Sequence, residues 1–279
     1  MTSRVIGALV RACLTVILIL TPSLMIPGIH AETVQIVALA AIFAFALTTF
    51  EYASTYPGLV EFREAPPFNR IRFVSLFVTV LFLSAVARGT TDPSVFTEFV
   101  GAIGTLIGNA IDFPYSPVRL IVLMLPEGTT AQEIITLRMA AGMAYLISLL
   151  SLAVFIISLR VTGWPKRKGG FNVWVNLPMF DPTAGGDVIE RLERDARFNV
   201  ALGFLLPFLT PAVIKAASGV FGSVSITNDQ TMIWTIAAWA FLPASLFMRG
   251  IAMQRVATLI AEQRARNSSR AESQALQPA

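Results

Sequence analysis

Six apolar stretches alternate with charged segments along the chain, at roughly 8–28, 33–50, 71–88, 133–159, 199–222 and 231–248. Each is close to the ~20 residues that an α-helix needs to cross the hydrocarbon core of a bilayer. The pattern predicts an all-α fold: a polytopic transmembrane helical bundle of about six spans, one transmembrane unit over residues 1–266. The third stretch is the shortest. Arg72 and Arg88 at its ends can carry their charged tips to the two headgroup layers.

Composition supports a lipid environment. Of 279 residues, 55% are hydrophobic and 14% charged, against about 25% charged in soluble domains. The formal charge of +4 could point to nucleic acid. The basic residues flank apolar spans instead, and no stacking aromatics accompany the basic tail, so nucleic acid is not an expected partner. Anionic lipid headgroups are.

The basic residues also predict topology. With the N-terminus in the cytoplasm, Arg88 and Arg119 fall on the outer side, Arg138 and Lys215 fall within spans, and all other lysines and arginines fall inside. Such a bias orients helical membrane proteins. Both termini are therefore expected in the cytoplasm. The first stretch has an alternative reading. Arg4 and Arg11, the apolar run to Ile26 and Ile29-His30-Ala31 resemble a cleavable signal peptide. The length of the run, with Pro22 and Pro27, favours a retained span. The compact chain and the absence of a eukaryotic targeting signal suggest a bacterial inner (plasma) membrane.

The outer insert 89–132 is the most unusual segment. Within Val95–Asp112, the residues Thr97, Glu98, Gly101, Gly104, Thr105, Gly108, Asn109 and Asp112 recur with helical period, opposite an apolar face. Phe113-Pro114-Tyr115-Ser116-Pro117 then breaks the helix. The short apolar run from Leu120 to Leu125 follows. Two arrangements fit: an outer-surface helix, or a re-entrant hairpin whose small, acidic face lines a polar cavity. A further pair of complete spans is the remaining alternative.

The fourth span carries a seam of small residues, Ala141, Ala144, Ser148, Ser151 and Ser158, with Phe155 among them. Small side chains let helix backbones approach closely in lipid. Gly104 and Gly108 form a GxxxG pair. The cytoplasmic loop 160–198 opens with Trp164-Pro165-Lys166-Arg167-Lys168, a belt aromatic before a basic cluster. An interfacial apolar patch is expected at Phe171, Val173, Trp174, Val175, Leu177 and Phe180. Asp187 reads as an N-cap with Glu190 three residues on, heading a helix with Glu190–Arg194 and Glu193–Arg197 pairs. A basic helix on the cytoplasmic membrane surface is expected over 249–266, with the apolar stripe Ala252, Val256, Leu259 and Ile260. The polar tail 267–279 is expected to be disordered. The glycosylation-like Asn267-Ser268-Ser269 falls on the cytoplasmic side and is discounted.

Candidate chemistry is sparse. Cys13 is the sole cysteine and His30 the sole histidine, so disulfides, cysteine metal clusters and histidine-based triads have little to draw on. No nucleotide-binding glycine loop, His/Glu metal set or paired catalytic carboxylates are visible. No catalytic residues, metal or cofactor are expected. Lys215 is the exception: a charge deep in a span is costly and marks a functional candidate. It shares a helix face with Pro207, Pro211 and Ser218, and could pair with Glu98 or Asp112, with Asn109 beside them. Snorkelling of Lys215 to the outer headgroups is the structural alternative. The expected function is a non-catalytic membrane subunit, an accessory, scaffold or assembly factor with protein partners. The alternative is a transporter or channel component using Lys215 and the polar outer helix.

Overall fold

The computed structural model describes residues 2–126, 128–165, 171–181, 183, 185–221 and 228–275. Among these, the secondary structure is helical: α1 (Thr2–Met25), α2 (Ala31–Ala53), α3 (Phe68–Gly89), α4 (Val95–Ile111), α5 (Pro117–Leu123), α6 (Ala131–Thr162), α7 (Val173–Asn176), α8 (Val188–Phe221) and α9 (Asp229–Ala275). Six of them, α1, α2, α3, α6, α8 and α9, are long and apolar enough to cross a membrane. The chain is a multi-pass membrane protein. The 17-residue α4 and seven-residue α5 are too short for two further spans.

Local chemistry sets several helix boundaries. At the start of α4, Ser94 accepts the Thr97 amide and Thr97 Oγ1 accepts the Ser94 amide, a reciprocal capping box. Thr130 and Glu133 do the same for α6. At its other end α6 stops on Gly163, whose φ of 60° is the left-handed conformation that glycine adopts without a Cβ penalty.

Helices α3, α6 and α9 form the centre. Val80, Leu83 and Ala87 of α3 meet Ala140, Ala141 and Ala144 of α6 and Ile233, Ile236 and Ala237 of α9 in one buried cluster. The small-residue seam of α6 is thus inside the bundle; Ser148 and Ser151 continue it as buried residues. Two helix pairs cross with backbones almost touching. A Cβ on Gly142 would lie 2.6 Å from Cα of Gly108, joining α4 to α6. A Cβ on Gly203 would lie 2.9 Å from the Pro243 carbonyl oxygen, and one on Gly250 2.8 Å from that of Ala196, joining α8 to α9. The α1–α2 hairpin lies against the centre through α1, and α2 packs on α1 alone.

The helix expected to lead into the fifth span does so: the two are one helix, α8, because nothing between Val188 and Asn199 breaks helical propensity. The last span runs on through 249–266 as α9. Other segments differ from the sequence reading, the first being the membrane-surface placement of 249–266. Ala252 and Val256 are wholly buried in a cluster with Leu192 and Ala196 of α8, so the stripe is a helix–helix seam rather than a membrane-facing one. Helical geometry persists past Asn267 to Ala275, where composition predicts disorder. Ser268 and Ser269 donate to the carbonyls of Arg264 and Ala265 on that stretch. Val175, Leu177 and Phe180 of the expected interfacial patch are buried under the bundle, whereas Trp174 is exposed. Lys166, Arg167 and Lys168 lie outside the described residues.

Candidate functional site

The polar side chains gather at the two ends of the bundle. One end, here the basic end, brings together residues 51–67, α7, the start of α8 and the second half of α9. The other, the insert end, carries α4, α5 and the start of α6.

The basic end is built on the loop after α2. Glu51, buried at the end of α2, accepts the backbone amides of Gly58, Leu59 and Val60 at 2.9–3.2 Å. Arg63 answers from the other side. Its guanidinium donates to the carbonyls of Glu51, Ser54 and Thr55, meeting acceptors that the end of a helix leaves open. The chain then turns at Phe62, whose φ of 51° is uncommon for an aromatic residue. Its amide donates to the Asn176 carbonyl at 2.6 Å. Its ring is buried 4.4 Å from that of Phe68 and 5.8 Å from that of Trp164.

That turn presents Glu61 to Arg249 of α9. The pair is bidentate, Nε to Oε2 at 2.6 Å and Nη2 to Oε1 at 2.8 Å. Arg249 Nη1 also donates to Asn199 Oδ1 at 2.9 Å, and Asn199 Nδ2 to the Asp195 carbonyl at 2.7 Å. Asn69 Nδ2 donates to the Glu61 carbonyl at 2.6 Å. One network therefore ties the 54–67 loop, α3, α8 and α9. Arg72 lies beside it, its guanidinium over the rings of Phe68 (5.1 Å) and Phe241 (5.8 Å). Its buried Nε has no hydrogen-bond partner among the described residues. Further along α9, Arg264 Nη1 reaches Asp187 Oδ1 at 2.7 Å. That bond, with the Ile189 amide on the same carboxylate, holds the Asp187 carboxyl below the usual carboxylate range. Of the expected helix pairs, Glu193–Arg197 forms at 3.7 Å, while Arg194 lies by Asp195 at 3.9 Å.

At the insert end, Asp112 is held between two arginines: Arg119 Nε lies 2.7 Å from Oδ1 and Arg138 Nε 2.8 Å from Oδ2. Lys215 Nζ donates to the Leu123 carbonyl at the end of α5, 3.0 Å away. Helix α4 contacts α3, α5 and α6, and α8 is not among its neighbours. The expected meeting of Lys215 with Glu98 or Asp112 is therefore not what the fold brings about. Glu98 and Asn109 are exposed. The buried members of the small face of α4, Thr97, Gly104 and Gly108, pack against α3 and α6.

Mid-bundle, a cavity of about 220 Å³ separates α6 from α8 across α9. Its wall includes Tyr145, Ser148, Pro207, Trp239 and Pro243. Trp239 Nε1 donates to the Pro207 carbonyl at 3.0 Å, the acceptor that Pro211 leaves without its helical donor. Among the described residues no group of three or more His, Cys, Asp or Glu could hold a metal ion. Cys13 and His30 are exposed.

Sequence reasoning missed Glu51, Glu61, Asn199 and Arg249. The signals were at Glu51, Asn199 and Arg249, polar residues at the edges of apolar stretches; Glu61 had none. No family model, no curated protein and no solved structure matches the chain.

Proposed function

We propose that the chain is a non-catalytic integral subunit, an accessory, scaffold or assembly factor of a bacterial-type inner-membrane complex. On this reading the basic end and both termini are cytoplasmic, as the lysine and arginine bias favours. The observation that carries the reading is how the costly polar groups are used. Glu51, Glu61, Arg63, Arg249, Asp112 and Lys215 all bond between elements and hold loops and helices in place. They fit a rigid platform better than a moving relay. The peripheral helices α2 and α8 leave long apolar faces for lipid or protein neighbours, while anionic headgroups meet the basic end.

The second reading, a transporter or channel component, draws on the cavity between α6 and α8 and on the prolines that border it. Lys215→Met separates the two. The scaffold reading expects the variant to purify with the wild-type set of bound proteins and to support the same activity of the complex. Unchanged assembly with lost solute flux in reconstituted vesicles would favour the transporter.

A further inference from the structure

We propose that the cavity between the last turn of α6 and the second half of α9 binds the phosphate of an anionic glycerophospholipid through Arg160 and Arg255. The proposal goes beyond the subunit reading and does not depend on it; it needs only that the bundle cross a bilayer. The cavity measures about 640 Å³, and Arg160, Thr162, Trp164, Arg255, Thr258 and Glu262 are on its wall.

The state of those side chains points to an anion. Four other guanidiniums at this end have partners: Arg63 takes backbone carbonyls, Arg249 takes Glu61, Arg264 takes Asp187 and Arg266 takes Glu262, while Arg72 lies over the Phe68 and Phe241 rings. Among the described residues, Arg160 and Arg255 have neither a hydrogen bond nor an ion pair, and both line the same space. The one carboxylate on the wall, Glu262, lies 3.1 Å from Arg266 Nη2 and is already countered. Thr162 and Thr258 spend their hydroxyl protons on the Ser158 and Gln254 carbonyls, at 2.7 and 3.0 Å. The two guanidiniums are the charged donors left for a ligand, and their planar forks match phosphate oxygens.

Position selects a lipid as the source. Helix α6 has 32 residues, about 48 Å at 1.5 Å per residue, well beyond a ~30 Å hydrocarbon core. Its final turn, with Arg160, therefore lies among headgroups. Trp164 just beyond is an interfacial residue type. Leu159 and Leu259, also on the cavity wall, give the first carbons of the acyl chains an apolar surface.

The test is native mass spectrometry of the full chain in detergent, titrated with phosphatidylglycerol or with zwitterionic phosphatidylcholine. The comparison is between wild type, Arg160→Gln/Arg255→Gln, each single variant, and Arg194→Gln/Arg197→Gln as a control on α8. Wild type should retain one phosphatidylglycerol in preference to phosphatidylcholine. Each single variant should lower that preference about tenfold, the scale of one charge-assisted hydrogen bond. The double variant should abolish it, the control should keep it, and excess inorganic phosphate should leave the lipid bound. Equal retention by wild type and the folded variants would overturn the proposal. Displacement of the lipid by inorganic phosphate would overturn the lipid as the source. Should the double variant not fold, the single variants decide by the same criterion.

Discussion

Arg249 and Glu61 lie 188 residues apart in sequence and meet with two parallel hydrogen bonds. Removing one partner from a largely buried pair leaves the other charge uncompensated, at a cost of about 3–5 kcal/mol, whereas replacing both by apolar groups is often close to neutral. Arg249→Met should therefore lower the thermal midpoint in detergent sharply, and Glu61→Leu/Arg249→Met should restore much of the loss. An unshifted midpoint in the single variant would mean that the pair does not hold the basic end. Asp187 gives a pH-dependent counterpart. Its folded-state carboxyl lies below the usual range because Arg264 and the Ile189 amide favour the charged form. Its stabilising contribution is complete above the ordinary aspartate value of about 3.9. It is lost as pH falls through the lower folded-state value. Asp187→Asn should lower the thermal midpoint at neutral pH, where the contribution is fully present, and flatten the acid limb so that variant and wild type converge as pH falls. At this scale, sequence legibility followed local contrast. Lys215 stood out because a charge interrupts an apolar run. Glu61 sits in an aperiodic loop, and its partner is invisible until the loop folds back over α9. The acceptor of Lys215, a backbone carbonyl at Leu123, has no signature in residue type at all.

Two glycine contacts govern how the helices pair. At Gly142 a methyl group would be placed 2.6 Å from the backbone of Gly108, so α4 and α6 would have to move apart. Gly142→Ala should cost about 1–3 kcal/mol, the range for overpacking. Gly101, also on α4, has nothing within 4 Å of a Cβ position. Gly101→Ala should be neutral or slightly stabilising, since alanine is the better helix former. Thermal midpoints of the two variants check this, and equal effects would argue against the close α4–α6 crossing. The sequence marked Gly104 and Gly108 as a small-residue pair and Ala141 and Ala144 as a seam. It did not indicate that α4 meets α6 through Gly142, because helical period identifies a face and not the neighbour that covers it. The same limit applies to Ala252 and Val256. An apolar stripe beside basic residues suits a membrane surface and a partner helix equally well, and only the approach of α8 decides between them. Helix ends were partly legible: the charged stretches of α8 and α9 are strong helix formers and continue their spans, but the polar composition past Asn267 suggested disorder where α9 runs on to Ala275.

For the whole molecule, six apolar helices were legible because lipid demands long apolar segments with their backbone bonds satisfied internally. The arrangement of those helices was not. Alternating hydropathy fixes neither that α3, α6 and α9 form the centre nor that α2 leans on α1 alone. Function follows the same division. The polar groups that the fold gathers at each end act as ties between elements, and Lys215→Met should leave partner retention within error of wild type. The most direct test of the subunit account is mild-detergent affinity purification of the tagged full chain, with mass spectrometry of what remains bound. The account predicts a reproducible, stoichiometric set of protein partners, retained by Lys215→Met and released together when Arg249→Met loosens the basic end. A lone monomer or homo-oligomer that moves solute after reconstitution, and loses that flux with Lys215→Met, would contradict it.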